Sequence, residues 1–165
     1  MQIILITEST KSCNSDYKYI KSCLDYFYCS RENAIKNISA KCKSELIKQD
    51  VKIENLRKRF HGHSEVIICA DFDDKEDPDN GRIIKYARKN GYNIAWMNID
   101  VEEVFLGKRI KKKDKSKEAL NFLKKKDILL CKNDCLAECE PFKKHPCSNL
   151  LVVLDKYLKR KSNIN

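Results

Sequence analysis

The residues of this chain best suited to chemistry are carboxylates placed at the ends of apolar runs. "QIILIT" (2–7) is followed by Glu8, and "EVIICA" (65–70) is followed by Asp71, Phe72, Asp73 and Asp74. In an extended segment alternate residues share a side, so Asp71 and Asp73 point one way around Phe72 and Asp74 points the other. In open α/β sheets, ligands gather beyond the carboxyl ends of the strands. If the two runs are neighbouring strands, Glu8, Asp71 and Asp73 meet at one edge. Three converging carboxylates repel one another unless a cation neutralises them. Mg²⁺ suits such a place, because it takes one or two carboxylates, keeps waters and accepts phosphate oxygens. The simpler reading is a strand that ends in a polar turn, with Asp79 capping the next helix.

A second candidate is the basic segment "KRIKKKDKSK" (108–117), with Lys108, Arg109, Lys111, Lys112, Lys113, Lys115 and Lys117. It feeds a helical pattern in which Ala119, Leu120 and Leu123 share a face and Ser116 is the expected cap. Lysines offer point charges rather than bidentate base reading, so the expectation is sequence-independent contact with a phosphate backbone. The alternative is a solvated surface loop. The whole chain leans the same way: 34 Lys and Arg against 24 Asp and Glu give a net charge of +10, which favours a polyanionic partner, DNA or RNA.

Nine cysteines cannot all pair internally. The start, "MQIILITEST", has no basic segment before its short apolar run, and no apolar stretch approaches the roughly 20 residues of a membrane span. The expectation is a cytoplasmic protein with reduced thiols and no membrane segment. Cys135, Cys139, His145 and Cys147 are chemically able to bind a structural Zn²⁺. Their spacing is not that of a common knuckle or ribbon, however. Cys131, Cys135 and Cys139, four residues apart, also fit one packed helix face, and that reading is preferred. Cys13, Cys23, Cys29, Cys42 and Cys69 read as scattered thiols, His61 and His63 as ordinary loop residues, and Trp96 as core.

The elements that must position these residues follow from periodicity. A length of 165 residues fits one domain with one core, and only four Gly and three Pro argue against an all-β fold full of tight turns. Strands are expected at 2–7, 64–71 and 92–99, with a further one at 26–30 or a helix ending there. Tyr17, Ile20, Leu24 and Phe27 mark a helix face capped by Asn14 or Ser15. Ile35, Ile38, Cys42, Leu46, Ile47, Ile53 and Leu56 suggest one or two amphipathic helices between 32 and 60. Helices are also expected over 79–92, stopped by Gly91, and over 148–160. Strands joined by helices of this length imply a mostly parallel α/β sheet flanked by helices. The expected organisation is an α/β domain over 1–130 with a Cys-rich helical C-terminal extension of the same domain over 131–165.

A glutamate after the first strand and Asp-x-Asp after a later buried strand resembles the Toprim fold of topoisomerases, primases and several nucleases. The resemblance extends to the RloB-like branch, small Toprim proteins of bacterial abortive-infection and anti-phage loci. It is carried by "ILITES", "YKYI", "IICADFDD" and "NGYNIAWMNIDVEEVFLG", and covers roughly residues 2 to 125. On it, Asn98 and Glu102 fall on the family's Asn and Glu, whereas Ser9 replaces a Gly and Val101 and Val104 replace aromatics. The resemblance implies Mg²⁺- or Mn²⁺-dependent cleavage of DNA or RNA in phage defence. Asp71, Asp73 and Glu102 would be metal ligands, Glu8 the general acid/base, and an ATPase a partner protein. Two other readings are a non-catalytic nucleic-acid-binding or regulatory subunit that keeps the fold, and a phosphatase-like domain using Asp71. The second lacks its usual lysine and threonine partners.

Overall fold

The computed structural model describes residues 1–9, 14–29, 33–124, 126–138 and 145–162. Strand β1 (Gln2–Glu8) has Ile3, Ile4, Leu5 and Ile6 fully buried, as expected of a continuous β-branched and aliphatic run covered on both faces. Successive side chains enter opposite cores. Ile3 and Leu5 join Ile67, Cys69, Ala95 and Met97 in one, while Ile4 and Ile6 join Val66, Ile68, Ala70 and Trp96 in the other.

Four parallel strands, β1, β2 (Ala34–Ala40), β3 (Ser64–Phe72) and β4 (Asn93–Asn98), form one sheet in the order β2-β1-β3-β4. One face is covered by α1 (Ser15–Phe27), α4 (Val101–Leu106), α5 (Lys115–Lys124), α6 (Asn133–Leu136) and α7 (Leu150–Leu154). The other carries α2 (Asp50–Lys58) and α3 (Pro78–Asn90). The chain leaves β1 through α1 toward β2, then crosses back over β1 through α2 to reach β3. Connections that run in opposite directions lie on opposite faces, as right-handed crossovers require. The reversal places a crevice between the carboxyl ends of β1 and β3. The expected α/β fold, a parallel sheet flanked by helices, is therefore present.

Several local expectations change. Residues 34–40 form an edge strand rather than a helix, paired with β1 from Gln2↔Ala34 to Glu8↔Ala40. Only Ile38 and Ala40 of β2 are fully buried, and its Ile35–Ile38 spacing imitates a helix face. Of the two readings of 26–30, the helix ending there is the one present: α1 continues to Phe27, and Tyr28 makes an isolated bridge to Arg160. Its Asn14 cap makes no side-chain hydrogen bond. Helix α3 is capped by Asp77, whose Oδ1 accepts from the Asp79 N–H at 2.9 Å with Pro78 opening the first turn, so Asp79 is not the cap. Gly91 ends α3 at φ 68°, a left-handed conformation that favours glycine. Ser116 lies inside the first turn of α5 instead of capping it, and the last helix is confined to Leu150–Leu154.

Two arrangements bear on the site. Tyr19, fully buried, lies 5.3 Å from Phe105 and 5.0 Å from Phe122 between ring centroids, and so locks α1, α4 and α5 together. The C-terminal segment belongs to the same core through Leu136, Leu150, Leu151 and Leu154. Asn149 also covers the outer edge of β4: its Oδ1 accepts from Trp96 N–H at 2.7 Å and its Nδ2 donates to Ile94 O at 3.0 Å. Trp96 is core, edge-on to Phe72 at 5.4 Å. No described helix is long and apolar enough to cross a membrane.

Candidate functional site

β1 ends at Glu8, and β3 ends with Asp71 and Phe72, followed by Asp73. Because β1 and β3 are neighbours, these carboxylates reach one cleft of about 840 Å³ at the carboxyl edge of the sheet. Asp16, in the first turn of α1, and Asp100, just past β4, line it as well. The cleft is also lined by Lys41, Arg109, Lys111, Lys112 and Lys115. Acidic and basic groups thus share one opening, the acidic ones supplied mainly by the ends of strands and the start of a helix.

The acidic groups are fixed by the backbone. Asp71 Oδ1 accepts the Val101 N–H at 3.1 Å, and Asp100 Oδ1 accepts the Glu103 N–H at 2.7 Å, so both tie the start of α4 to the sheet. Between β4 and α4, Ile99 adopts φ 74° while its N–H donates to Phe72 O at 3.0 Å. A β-branched residue in that region is strained, and here the strain turns the chain so that Asp100 reaches the cleft.

Crowding leaves its mark on protonation. Burial first, and then the charges of Asp16, Glu8, Asp73 and Asp100, push the Asp71 carboxyl well above its ordinary range. Burial and the neighbouring Glu102 raise Asp16 to about 7, against a small opposing effect of the Ser15 hydrogen bond. Glu8 is raised by burial and by Asp73, with Lys43 and Lys115 pulling it down. For Lys115, burial works against the charge, but its hydrogen bond to Glu102 and the fields of Glu102, Asp100 and Asp71 outweigh it and raise the pKa.

The remaining expected residues are distributed as follows. Glu102 is fully buried: its Oε2 accepts from Lys115 Nζ at 2.7 Å, and its Oε1 has no hydrogen-bond partner. It supports Lys115 and does not line the cleft. Asp73 is well exposed and lies 3.7 Å from Lys43 Nζ, which makes its closer pair with Asp77 at 2.6 Å. Asp74 accepts from the Glu76 N–H at 3.0 Å and is not in the cleft lining. Asn98 is buried and anchors the 145–147 segment, its side chain donating to His145 O and its N–H to Cys147 O. Of the basic residues, Arg109, Lys111, Lys112 and Lys115 line the cleft. Lys108 pairs with Glu118 at 3.6 Å, and Lys113 and Lys117 are exposed beyond the lining. Ser9 is a cleft residue whose N–H donates to Ala40 O at 2.7 Å.

Among the described residues, no three His, Cys, Asp or Glu side chains are gathered as a ready-made metal cage. The donor set still fits a hard cation. It is all oxygen, its crowding raises the pKa of Glu8 and of Asp71, and Mg²⁺ needs only one or two carboxylates beside waters and phosphate oxygens. Asp71 and Asp73 are the residues that would hold it, with Glu8 beside them in the same cleft. The Zn²⁺ alternative fares differently. Cys139 lies outside the described residues, the Cys135 thiol donates to Pro146 O at 3.1 Å, and Cys147 is buried.

Sequence reasoning missed Asp16, Asp100, Lys41 and the clamp Lys43. The rule that found Glu8 and Asp71 reaches three of them: Asp100 and Lys41 follow strands, and Asp16 opens the helix after one. No protein family model matches the chain, and no curated protein or solved structure is significantly similar to it.

Proposed function

We propose that this protein is a metal-dependent nuclease that cleaves phosphodiester bonds of DNA or RNA, with Mg²⁺ or Mn²⁺ as cofactor. The observation that carries this reading is the single cleft in which Glu8, Asp71 and Asp73 face Arg109, Lys111, Lys112 and Lys115. The basic side chains bind and orient the phosphate backbone, and Lys115 is held in place by Glu102. Glu8, whose pKa is raised by burial and by Asp73, serves as general acid/base. A cation on Asp71 and Asp73 would supply charge stabilisation on the phosphate and the leaving oxygen. Action in phage defence beside a partner ATPase, inside the cytoplasm, belongs to the same proposal and rests on the Toprim and RloB-like resemblance alone.

The test is a nuclease assay on DNA and RNA with Mg²⁺ and Mn²⁺, comparing wild type, Glu8→Ala and Asp71→Ala/Asp73→Ala. Cleavage by wild type that both variants lose supports the site; cleavage that survives in both removes it. A second reading, a non-catalytic nucleic-acid-binding subunit, is favoured by the pairing of Glu102 with Lys115 and of Asp73 with Lys43. Two carboxylates expected to meet a metal already have ammonium partners. Wild type that binds nucleic acid without cleaving it would select this reading.

A further inference from the structure

We infer that the cleft takes double-stranded nucleic acid, gripped through its phosphates alone; this rests on the nucleic-acid reading above. Among the described residues no Phe, Tyr, Trp or His lines the cleft, and every described Phe, Tyr and Trp is buried or half-buried elsewhere. The only large apolar residue in the lining is Ile110; the rest are carboxylates, hydroxyls and cations. Proteins that hold single strands draw much of their affinity from aromatic platforms on which unstacked bases lie. The described lining offers no such platform, and the affinity it can supply comes from charge. Charge favours the duplex, whose phosphates are packed at about one per 1.7 Å of axis and whose condensed counterions are released on binding.

The placement of the cations agrees. Lys108, Arg109, Lys111, Lys112, Lys113 and Lys117 are all exposed on one segment, of which Arg109, Lys111 and Lys112 line the cleft and Lys108, Lys113 and Lys117 lie outside its lining. Charge therefore extends beyond the volume a single phosphodiester could fill. A duplex would lie along this exposed track while one strand presents its phosphate to the carboxylates. Lysine predominates over arginine here, and lysine positions a backbone without reading base edges. Selection between strandedness states then arises from charge density and not from sequence.

The experiment measures binding of labelled oligonucleotides of about 20 residues, single-stranded or annealed, as DNA and as RNA. It uses the Glu8→Gln chain with Mg²⁺, and wild type with Ca²⁺ in case the variant is perturbed. The expected result is duplex binding about tenfold tighter than single-strand binding of the same sequence, independent of sequence. The DNA and RNA duplex arms decide which backbone is preferred. In Arg109→Gln/Lys111→Gln/Lys112→Gln, the slope of log affinity against log salt should fall by about 3. Equal or tighter binding of single strands overturns this inference and leaves the nuclease reading standing. Failure to bind either form overturns both.

Discussion

The two walls of the cleft are built on opposite principles. The acidic wall is assembled from positions 8, 16, 71, 73 and 100, brought together by strand ends and helix starts and, for Asp71 and Asp100, pinned by backbone N–H groups. The basic wall comes almost wholly from one run, 109–115, most of it exposed. The first is costly, because desolvated like charges raise one another's pKa; the second costs little, because water and salt screen it. The proposed cation, bound under a phosphate, would account for both walls at once.

The largest expected effect separates the walls by activity. Asp71→Asn keeps the acceptor for Val101 N–H but removes the charge, so cleavage should fall by about a thousandfold or more in a metal-dependent assay. A fall of less than about tenfold would detach the acidic wall from the chemistry.

Next comes the pair that anchors the basic wall, half-buried Lys115 on the buried Glu102. Lys115→Met leaves Glu102 buried without its partner, and urea unfolding should show a loss of about 3 kcal/mol. Lys115→Arg, which keeps the charge, should recover part of it.

A smaller, pH-dependent effect is expected at Asp16. Its folded pKa of about 7 lies above its ordinary value, so the folded state binds the proton more tightly than the unfolded chain does. Its contribution to stability is fully present below about pH 4 and is lost as pH rises through about 7. Asp16→Asn should therefore stabilise the protein at pH 8, by on the order of 1–3 kcal/mol, and do little at pH 4. Thermal melts at the two pH values check this, and an equal shift at both would contradict it.

The smallest effect on stability belongs to the basic wall. Arg109→Gln/Lys111→Gln/Lys112→Gln should change unfolding free energy by less than about 0.5 kcal/mol while weakening nucleic-acid binding at low salt. Destabilisation well beyond that would make these residues structural.

This contrast also governs what the sequence discloses. The basic wall is local, so "KRIKKKDKSK" announces it directly. The parallel α/β sheet was legible because its inner strands carry unbroken apolar runs, 3–6 and 66–70, that must be buried on both faces. The edge strand Ala34–Ala40 was not, because its one-sided burial and Ile35–Ile38 spacing imitate a helix, and only pairing with β1 decides the matter. The acidic wall was half legible. Glu8 and Asp71 follow obvious strands, but the turn of Ile99 that delivers Asp100 and the helix start that delivers Asp16 are products of tertiary packing. Glu102 shows what a motif alone does not convey about a residue's surroundings. Its position suggested a ligand, yet its carboxylate is buried and paired with Lys115.

The central claim, that the acidic wall seats a divalent cation, is tested most directly by calorimetric titration of Mn²⁺ at pH 8, where more of the carboxylates are ionised. The account predicts saturable binding to the wild-type chain that is lost in Asp71→Asn. Absence of binding to wild type, or equal binding to both chains, would contradict it.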